Sequence, residues 1–140
     1  MAPQWVADGL AAGGVAAVLG GAPSTVHALA TGADPLEATL AAGTLVLRHE
    51  TRRGRLLLAG VPAHLAISLG WGVVLAVGLP RRCTTLAGAA AGLAVAALDL
   101  GLTGRRWPRL RALPRLPQVA DHAAYGAVVG AVLTRRRSQR

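Results

Sequence analysis

The chain has 140 residues, of which 53% are hydrophobic and only 15% are charged, whereas a soluble domain carries about 25% charged residues. Its formal charge of +9 comes entirely from arginine, because the sequence contains no lysine. A soluble bundle of this size lacks the polar surface to cover several helices that are apolar on every side. The composition therefore argues against a soluble domain and predicts an integral membrane protein.

The arginines are concentrated at the ends of the apolar segments, in residues 48–55, 81–82, 105–115 and 135–140. Membrane proteins place basic residues there, where each gains about 1 kcal/mol from anionic headgroups. Aromatic residues that interleave with basic ones in nucleic-acid-binding proteins are missing, since phenylalanine is absent. We expect a bilayer with anionic headgroups as the partner, and no nucleic acid. The headgroup contacts are assigned to Arg105, Arg106, Arg109, Arg111 and Arg115.

Four apolar blocks predict the main helices, at 5–22, 56–79, 84–103 and 118–134. A helix needs roughly 17 to 25 residues to cross the hydrocarbon core, and the last block is just short of that length. We predict an all-α bundle of four to five short transmembrane helices and one short interfacial or re-entrant helix. It forms a single transmembrane domain over 1–134, followed by a basic tail at 135–140.

The first helix, over 5–22, carries Gly9, Gly13 and Gly20 along one face. A stripe of small residues lets a second helix approach closely in lipid, where van der Waals contact replaces the hydrophobic effect. We expect the helix to end before Pro23, and residues 24–30 to form only a short helical turn.

The next helix is predicted over 35–48. Asp34 has the chemistry of an N-cap, Pro35 suits the first helical position, and Glu37 lies in the first turn. Such a helix is about 21 Å long, which is less than the ~30 Å hydrocarbon core. It therefore either spans the membrane with help from its flanks, lies at the interface, or enters and leaves on one side.

The clearest span is 56–79, in which Pro62 predicts a kink because it donates no hydrogen bond to the preceding turn. The 84–103 helix carries Gly88 and Gly92 on one face. The linker 105–117 holds three prolines and five arginines, so we expect an extended strip on the headgroups with Trp107 dipped into lipid.

Ionisable residues inside these segments are the functional candidates, because each costs about 2.5 to 3.5 kcal/mol in lipid without a partner. Asp99 and His122 both lie about 7 to 8 Å inside the same face, counted from the linker at 1.5 Å per residue. Each also lies on the small-residue face of its helix. We therefore predict that these two side chains approach within direct or one-water hydrogen-bonding distance.

The full candidate polar cluster consists of His64, Asp99, Asp121, His122 and Tyr125. Three interpretations stay open: fastening of one helix to another, a polar cavity for proton, ion or substrate movement, and a metal site. Imidazole and carboxylate groups are acceptable zinc or iron ligands, but the set lacks a diagnostic spacing, so we predict no metal and no cofactor. Asp8 is explained more simply as an acid near a helix N-terminus.

The arginine distribution also predicts orientation. Residues 48–55 and 105–115 share one face with nine arginines, and the other face holds the remaining six. The positive-inside rule places the richer face in the cytoplasm.

Several stretches resemble those of small uncharacterised multi-pass membrane proteins of actinobacteria. They are Ala22-Pro23-Ser24-Thr25-Val26-His27-Ala28-Leu29, Asp34-Pro35-Leu36-Glu37-Ala38-Thr39, Asp99-Leu100-Gly101, and residues 121–130, which begin Asp121-His122. The last stretch also resembles the His-x-x-aromatic-Gly helix of YagU-like inner-membrane families. The resemblance implies a multi-pass protein of the bacterial inner membrane and supplies no mechanism.

The leading functional hypothesis is a non-enzymatic structural or accessory membrane protein that associates through glycine stripes left over from its own packing. The alternative is a small proton- or ion-linked transporter that uses the Asp/His cluster. The third is a membrane-embedded, metal-dependent enzyme.

Overall fold

A computed structural model describes residues 3–139 and shows a helical protein without β-strands in that range. Its helices are α1 Gln4–Leu19, α2 Ala22–Thr31, α3 Glu37–Val46, α4 Arg53–Gly78, α5 Thr84–Leu98, α6 Gly104–Arg106, α7 Pro108–Ala112 and α8 Arg115–Ser138. A π-helical segment, Asp99–Thr103, joins α5 to α6. The all-α prediction is confirmed.

Within residues 3–139, three helical segments are long and apolar enough to cross a membrane: Gln4–Thr31, Arg53–Gly78 and Thr84–Arg106. The first combines α1 and α2, which are separated only by a bend at Gly20 and Gly21. Although α8 has 24 residues, it is not among the three, because charged ends and Asp121-His122 interrupt its apolar stretch. By length and composition three segments of the described residues qualify as spans, and the predicted count of four to five is not confirmed.

Most of the large aliphatic side chains on these segments face outward. Val18 and Leu58 are each 79% exposed, and Leu86 is 74% exposed. Exposed apolar surface on this scale marks a face that water does not cover. It is the surface expected where acyl chains surround a bundle.

The helices pack side by side in the order α3, α4, α1, α8, α5, with α2 also lying against α8. Residue pairs that approach across each contact show that neighbours run antiparallel: Gly43 with Leu56, Gly13 with Ser68, Gly20 with Tyr125, and Gly88 with Gly126. The core lies between α1, α4 and α8, where Ala12, Ala16, Leu75, Val129 and Leu133 are buried. α8 therefore occupies an interior position in the bundle.

Both described ends of the chain lie at one end of the bundle, where Arg136 contacts Asp8. We call it the termini end. The 48–55 and 105–115 segments meet at the opposite end, where Arg48 donates to the carbonyl oxygen of Arg106 at 3.1 Å. We call it the linker end.

Several predicted boundaries differ from the structure. α1 ends before Pro23 as predicted, but at Leu19 and not at residue 22, and Pro23 lies in the first turn of α2, where a missing N–H is tolerated. α3 has ten residues, which corresponds to about 15 Å, so it is shorter than predicted for 35–48 and too short to span. The 105–117 linker is not extended: α6, α7 and the start of α8 are helical, with breaks at Trp107 and at Leu113-Pro114.

Candidate functional site

The predicted approach of Asp99 and His122 is present in the structure. The Nε2 atom of His122 lies 3.2 Å from Oδ2 of Asp99, and its Nδ1 atom lies 2.7 Å from the carbonyl oxygen of Gln118. Both ring nitrogens thus face oxygen atoms that accept hydrogen bonds. A doubly protonated imidazolium beside an ionised carboxylate donates to both, so the arrangement suits an ion pair between α8 and the end of α5.

Glycines bring the two helices close enough for this contact. A Cβ on Gly92 would collide with the carbonyl oxygen of His122, and one on Gly88 would collide with the carbonyl oxygen of Gly126. The backbones of α5 and α8 therefore touch along the stretch that leads to Asp99. Close backbone approach of this kind is what small residues permit in apolar surroundings.

A change of helical geometry begins at the same aspartate. Residues Asp99–Thr103 form a π-helical segment between α5 and α6. Segments of this kind interrupt α-helices in isolated turns, and they occur frequently at functional sites. The side chain of Asp99 is 37% exposed and that of His122 is 20% exposed, so the pair lies at the edge of the helix contact.

The other three residues of the predicted cluster bind elsewhere. His64 Nε2 lies 3.0 Å from the carbonyl oxygen of Ala17, which joins α4 to α1. Asp121 Oδ1 accepts the backbone N–H of Ser24 at 2.8 Å, which joins α8 to α2. The Tyr125 hydroxyl donates to the carbonyl oxygen of Ser68 on α4. Their hydrogen bonds therefore lie on three different helix contacts, while Asp121 stays within electrostatic range of both His64 and His122.

Sequence reasoning missed the ion pair at the termini end. Arg136 Nε donates to Oδ1 of Asp8 at 2.7 Å, and Asp8 is only 3% exposed. The sequence pattern indicates that Asp8 is an acid near a helix N-terminus, but in the structure its carboxylate also connects α1 to α8. The signal was available, because a bundle of four spans, one of the two predicted counts, brings the arginine-rich C-terminal segment beside the start of the first helix.

A second set of contacts was missed at the linker end. Arg109 donates from Nε and Nη2 to the two carboxylate oxygens of Glu37, at 2.6 and 2.9 Å. Trp107 Nε1 donates to the carbonyl oxygen of Thr44 at 3.0 Å, and the Arg48 guanidinium lies 5.4 Å from the centre of the indole ring. Trp107 and Arg109 thus hold α6 and α7 against α3, and their contact with lipid stays a prediction.

The loop before α3 is held by a further ion pair. Asp34 Oδ1 accepts the Leu36 N–H at 2.9 Å, and the Arg53 guanidinium binds both carboxylate oxygens of Asp34. The arginine, followed by the Leu36 N–H, lowers the pKa of Asp34 to about 2. Asp34 thus ties the start of α4 to the α2–α3 loop, beyond the capping role that the sequence assigned to it.

No group of three or more His, Cys, Asp or Glu side chains among residues 3–139 is arranged to hold a metal ion. No known protein family, curated protein or solved structure matches the chain. The resemblance to actinobacterial and YagU-like proteins stays a prediction.

Proposed function

We propose that the chain is an integral membrane protein with a structural or accessory role, in which polar side chains fasten its helices to one another. One observation carries this proposal: all five candidate residues and Asp8 have hydrogen-bond partners within the chain, most of them on a neighbouring helix. In addition, no buried side-chain nitrogen or oxygen of the described residues lacks a partner. A transport path instead needs polar groups that face a water-filled cavity.

The membrane placement is part of the same proposal. The linker end, with its nine arginines, faces the cytoplasm of a bacterial cell, and the bundle lies in the inner membrane. Arg105, Arg111 and Arg115 are exposed there and lie against anionic headgroups, as does Arg106. Arg109 is engaged by Glu37 and contributes less. A reporter fused to the C-terminus is expected outside the cytoplasm, and a cytoplasmic signal would reverse the orientation.

Association with a second copy or with another membrane protein remains part of the accessory role. Glycine stripes left over from internal packing no longer support it. The stripe glycines of α1, α5 and α8 all face helices of the same chain: Gly9, Gly13, Gly20, Gly88, Gly92, Gly126 and Gly130. No stripe is left over to receive a partner. Any association has to use the aliphatic outer surface.

The test separates fastening from transport in vesicles that contain the purified protein. Asp99→Asn and His122→Gln are expected to lower the unfolding midpoint while proton flux, followed with an internal pH dye, stays at the level of empty vesicles. Cross-linking in native membranes, followed by mass spectrometry of co-purifying proteins, then tests the accessory role. Flux through the wild type that Asp99→Asn abolishes without unfolding would overturn the proposal.

A second candidate function is proton-linked transport, and the π-helical segment at Asp99 favours it. A partly exposed carboxylate–imidazole pair at a break in helical geometry can exchange a proton with water while the helix end moves. On this alternative, flux depends on pH and is lost in both variants. The same vesicle experiment decides between the two functions.

A further inference from the structure

A groove of about 460 Å³ opens at the termini end, between the start of α1 and the end of α4. It is lined by Trp5, Ala76, Val77, Leu79, Arg81 and Arg137. One wall is therefore aliphatic and aromatic, and the rim carries two guanidinium groups. The apolar wall suits a hydrocarbon chain and the basic rim suits an anionic group, so the combination favours an amphiphilic anion.

Arg137 is held in place by the end of α4. Its Nη2 donates to the carbonyl oxygen of Ala76 at 2.9 Å, and its Nη1 donates to those of Pro80 at 3.3 Å and Leu79 at 3.4 Å. The last carbonyls of a helix have no partner inside the helix, so the arginine caps them. A guanidinium has five N–H donors. The carbonyl groups that Arg137 binds carry no formal negative charge, so they do not neutralise its positive charge.

Arg81 is exposed and makes no hydrogen bond or ion pair with any residue in 3–139. The acid nearest the groove is Asp8, which lines an adjoining recess of about 90 Å³ together with Arg81 and Arg137 and accepts a hydrogen bond from Arg136. Three arginines, Arg81, Arg136 and Arg137, thus face a single carboxylate, and the groove keeps a net positive charge. Their position favours an anion between them.

We propose that this groove binds the phosphate headgroup of an anionic phospholipid, with the glycerol and upper acyl chain lying along Val77 and Leu79. The lipid fits better than free phosphate because the wall is apolar and lies at the end of a membrane-crossing helix. Trp5, which is 46% exposed, stands at the level where aromatic residues meet headgroups. The proposal is independent of the accessory role and requires only that the protein lies in a bilayer.

The first test compares Arg81→Gln with Arg82→Gln, because Arg82 is a neighbouring exposed arginine that does not line the groove. The detergent-purified full chain is titrated with dioleoylphosphatidylglycerol, and binding is measured by native mass spectrometry and by the unfolding midpoint. Arg81→Gln is expected to weaken binding about fivefold, the equivalent of about 1 kcal/mol. Arg82→Gln is expected to change binding less than twofold. Equal weakening by both variants would mean diffuse attraction to basic residues and would overturn the site.

The second test addresses the apolar wall and the nature of the anion. Val77→Ser is expected to weaken binding of the same lipid about fivefold, whereas Val74→Ser, one turn away and outside the groove, leaves it unchanged. Dioleoylphosphatidylcholine and inorganic phosphate at matched ionic strength are expected to show no dependence on Arg81. If inorganic phosphate alone binds in an Arg81-dependent manner, or if Val77→Ser has no effect, the lipid assignment is wrong. A dimer that Arg81→Gln dissociates would overturn it in favour of a second copy of the chain.

Discussion

The imidazole of His122 connects two helices, because its Nε2 lies 3.2 Å from Asp99 Oδ2 while its Nδ1 lies 2.7 Å from the Gln118 carbonyl oxygen of its own helix. The contact with Gln118 restricts rotation of the imidazole ring and thereby sets the direction in which Nε2 points. The first contact then depends on where α5 ends. This relationship makes the pair sensitive to both the side-chain chemistry and the helix spacing.

The first prediction concerns the coupling between these two side chains. A double-mutant cycle with Asp99→Asn and His122→Gln is expected to give a coupling free energy of about 0.6 to 2 kcal/mol, the range measured for polar contacts between helices in lipid. Unfolding in bicelles supplies the free energies. The pair Asp99→Asn and His64→Gln is the control, because His64 contacts Ala17 instead. That pair is expected to be additive, and coupling of equal size in both cycles would contradict a direct Asp99–His122 contact.

The second prediction concerns the spacing of α5 and α8. Gly92→Ala is expected to destabilise the protein by about 1 to 3 kcal/mol, because the added methyl group collides with the backbone of His122. Gly70→Ala on α4 is the matched control, since nothing lies within 4 Å of a Cβ there. The control is expected to be neutral or slightly stabilising, because alanine has the higher helix propensity. Equal unfolding midpoints for both variants would show that the backbones do not touch.

The third prediction concerns the ion pair at the termini end. Arg136→Gln is expected to destabilise the protein by about 1.5 to 3 kcal/mol, the range for hydrogen bonds to charged groups, because the Asp8 carboxylate is buried. The adjacent Arg135 is exposed and provides the control. Arg135→Gln is expected to shift stability by less than about 0.5 kcal/mol. A loss of similar size in both variants would indicate an effect of net charge and not of the Asp8 contact.

The fourth prediction concerns acid sensitivity at the linker end. The pKa of Asp34 is lowered from its ordinary value of 3.8 to about 2, so the folded state prefers the ionised carboxylate. The stabilisation from its contact with Arg53 is therefore fully present above the ordinary pKa and is lost as the pH falls towards about 2. The difference in unfolding midpoint between the wild type and Asp34→Asn is expected to shrink as the pH is lowered from about 5 to about 2.5. A difference that stays constant over that range would contradict the assignment.

Glu50 supplies the control for the acid titration. Its carboxylate accepts the backbone N–H groups of Thr51 and Arg52, both at 2.9 Å, within its own turn. Glu50→Gln therefore leaves the contact between Asp34 and Arg53 intact. We expect this variant to retain the shrinking difference when Asp34→Asn is introduced into it.

Some of these relationships could be predicted from the sequence because they depend on counting along a helix. Asp99 and His122 lie at equal depths by the 1.5 Å rise per residue, and each lies on the small-residue face of its helix, so the two faces are expected to pack together. Gly32 likewise follows α2 with a φ of 69°, a left-handed conformation that suits glycine at the end of a helix. Such features follow from helix geometry and from backbone preferences of single residues.

The contacts that could not be predicted depend on which helices are neighbours. His64 was grouped with Asp99 by depth, but depth does not say which helix faces α4, and His64 meets α1. Arg109 and Trp107 were assigned to lipid because basic and aromatic residues usually lie at the interface. Their partners Glu37 and Thr44 are more than sixty residues away in the chain, and only the tertiary arrangement brings α3 beneath them.

The position of α8 has a consequence for biosynthesis. In the described part of the chain, α5 packs extensively against no long helix other than α8, yet α8 leaves the ribosome last and is the long helix that does not qualify as a span on composition. Until α8 is made, the surfaces of α1 and α5 that it covers lack this partner and leave an open slot between them. When α8 enters that slot, protein surfaces take the place of lipid around Asp121 and His122. The helices made earlier thus form the surroundings in which the last helix becomes stable.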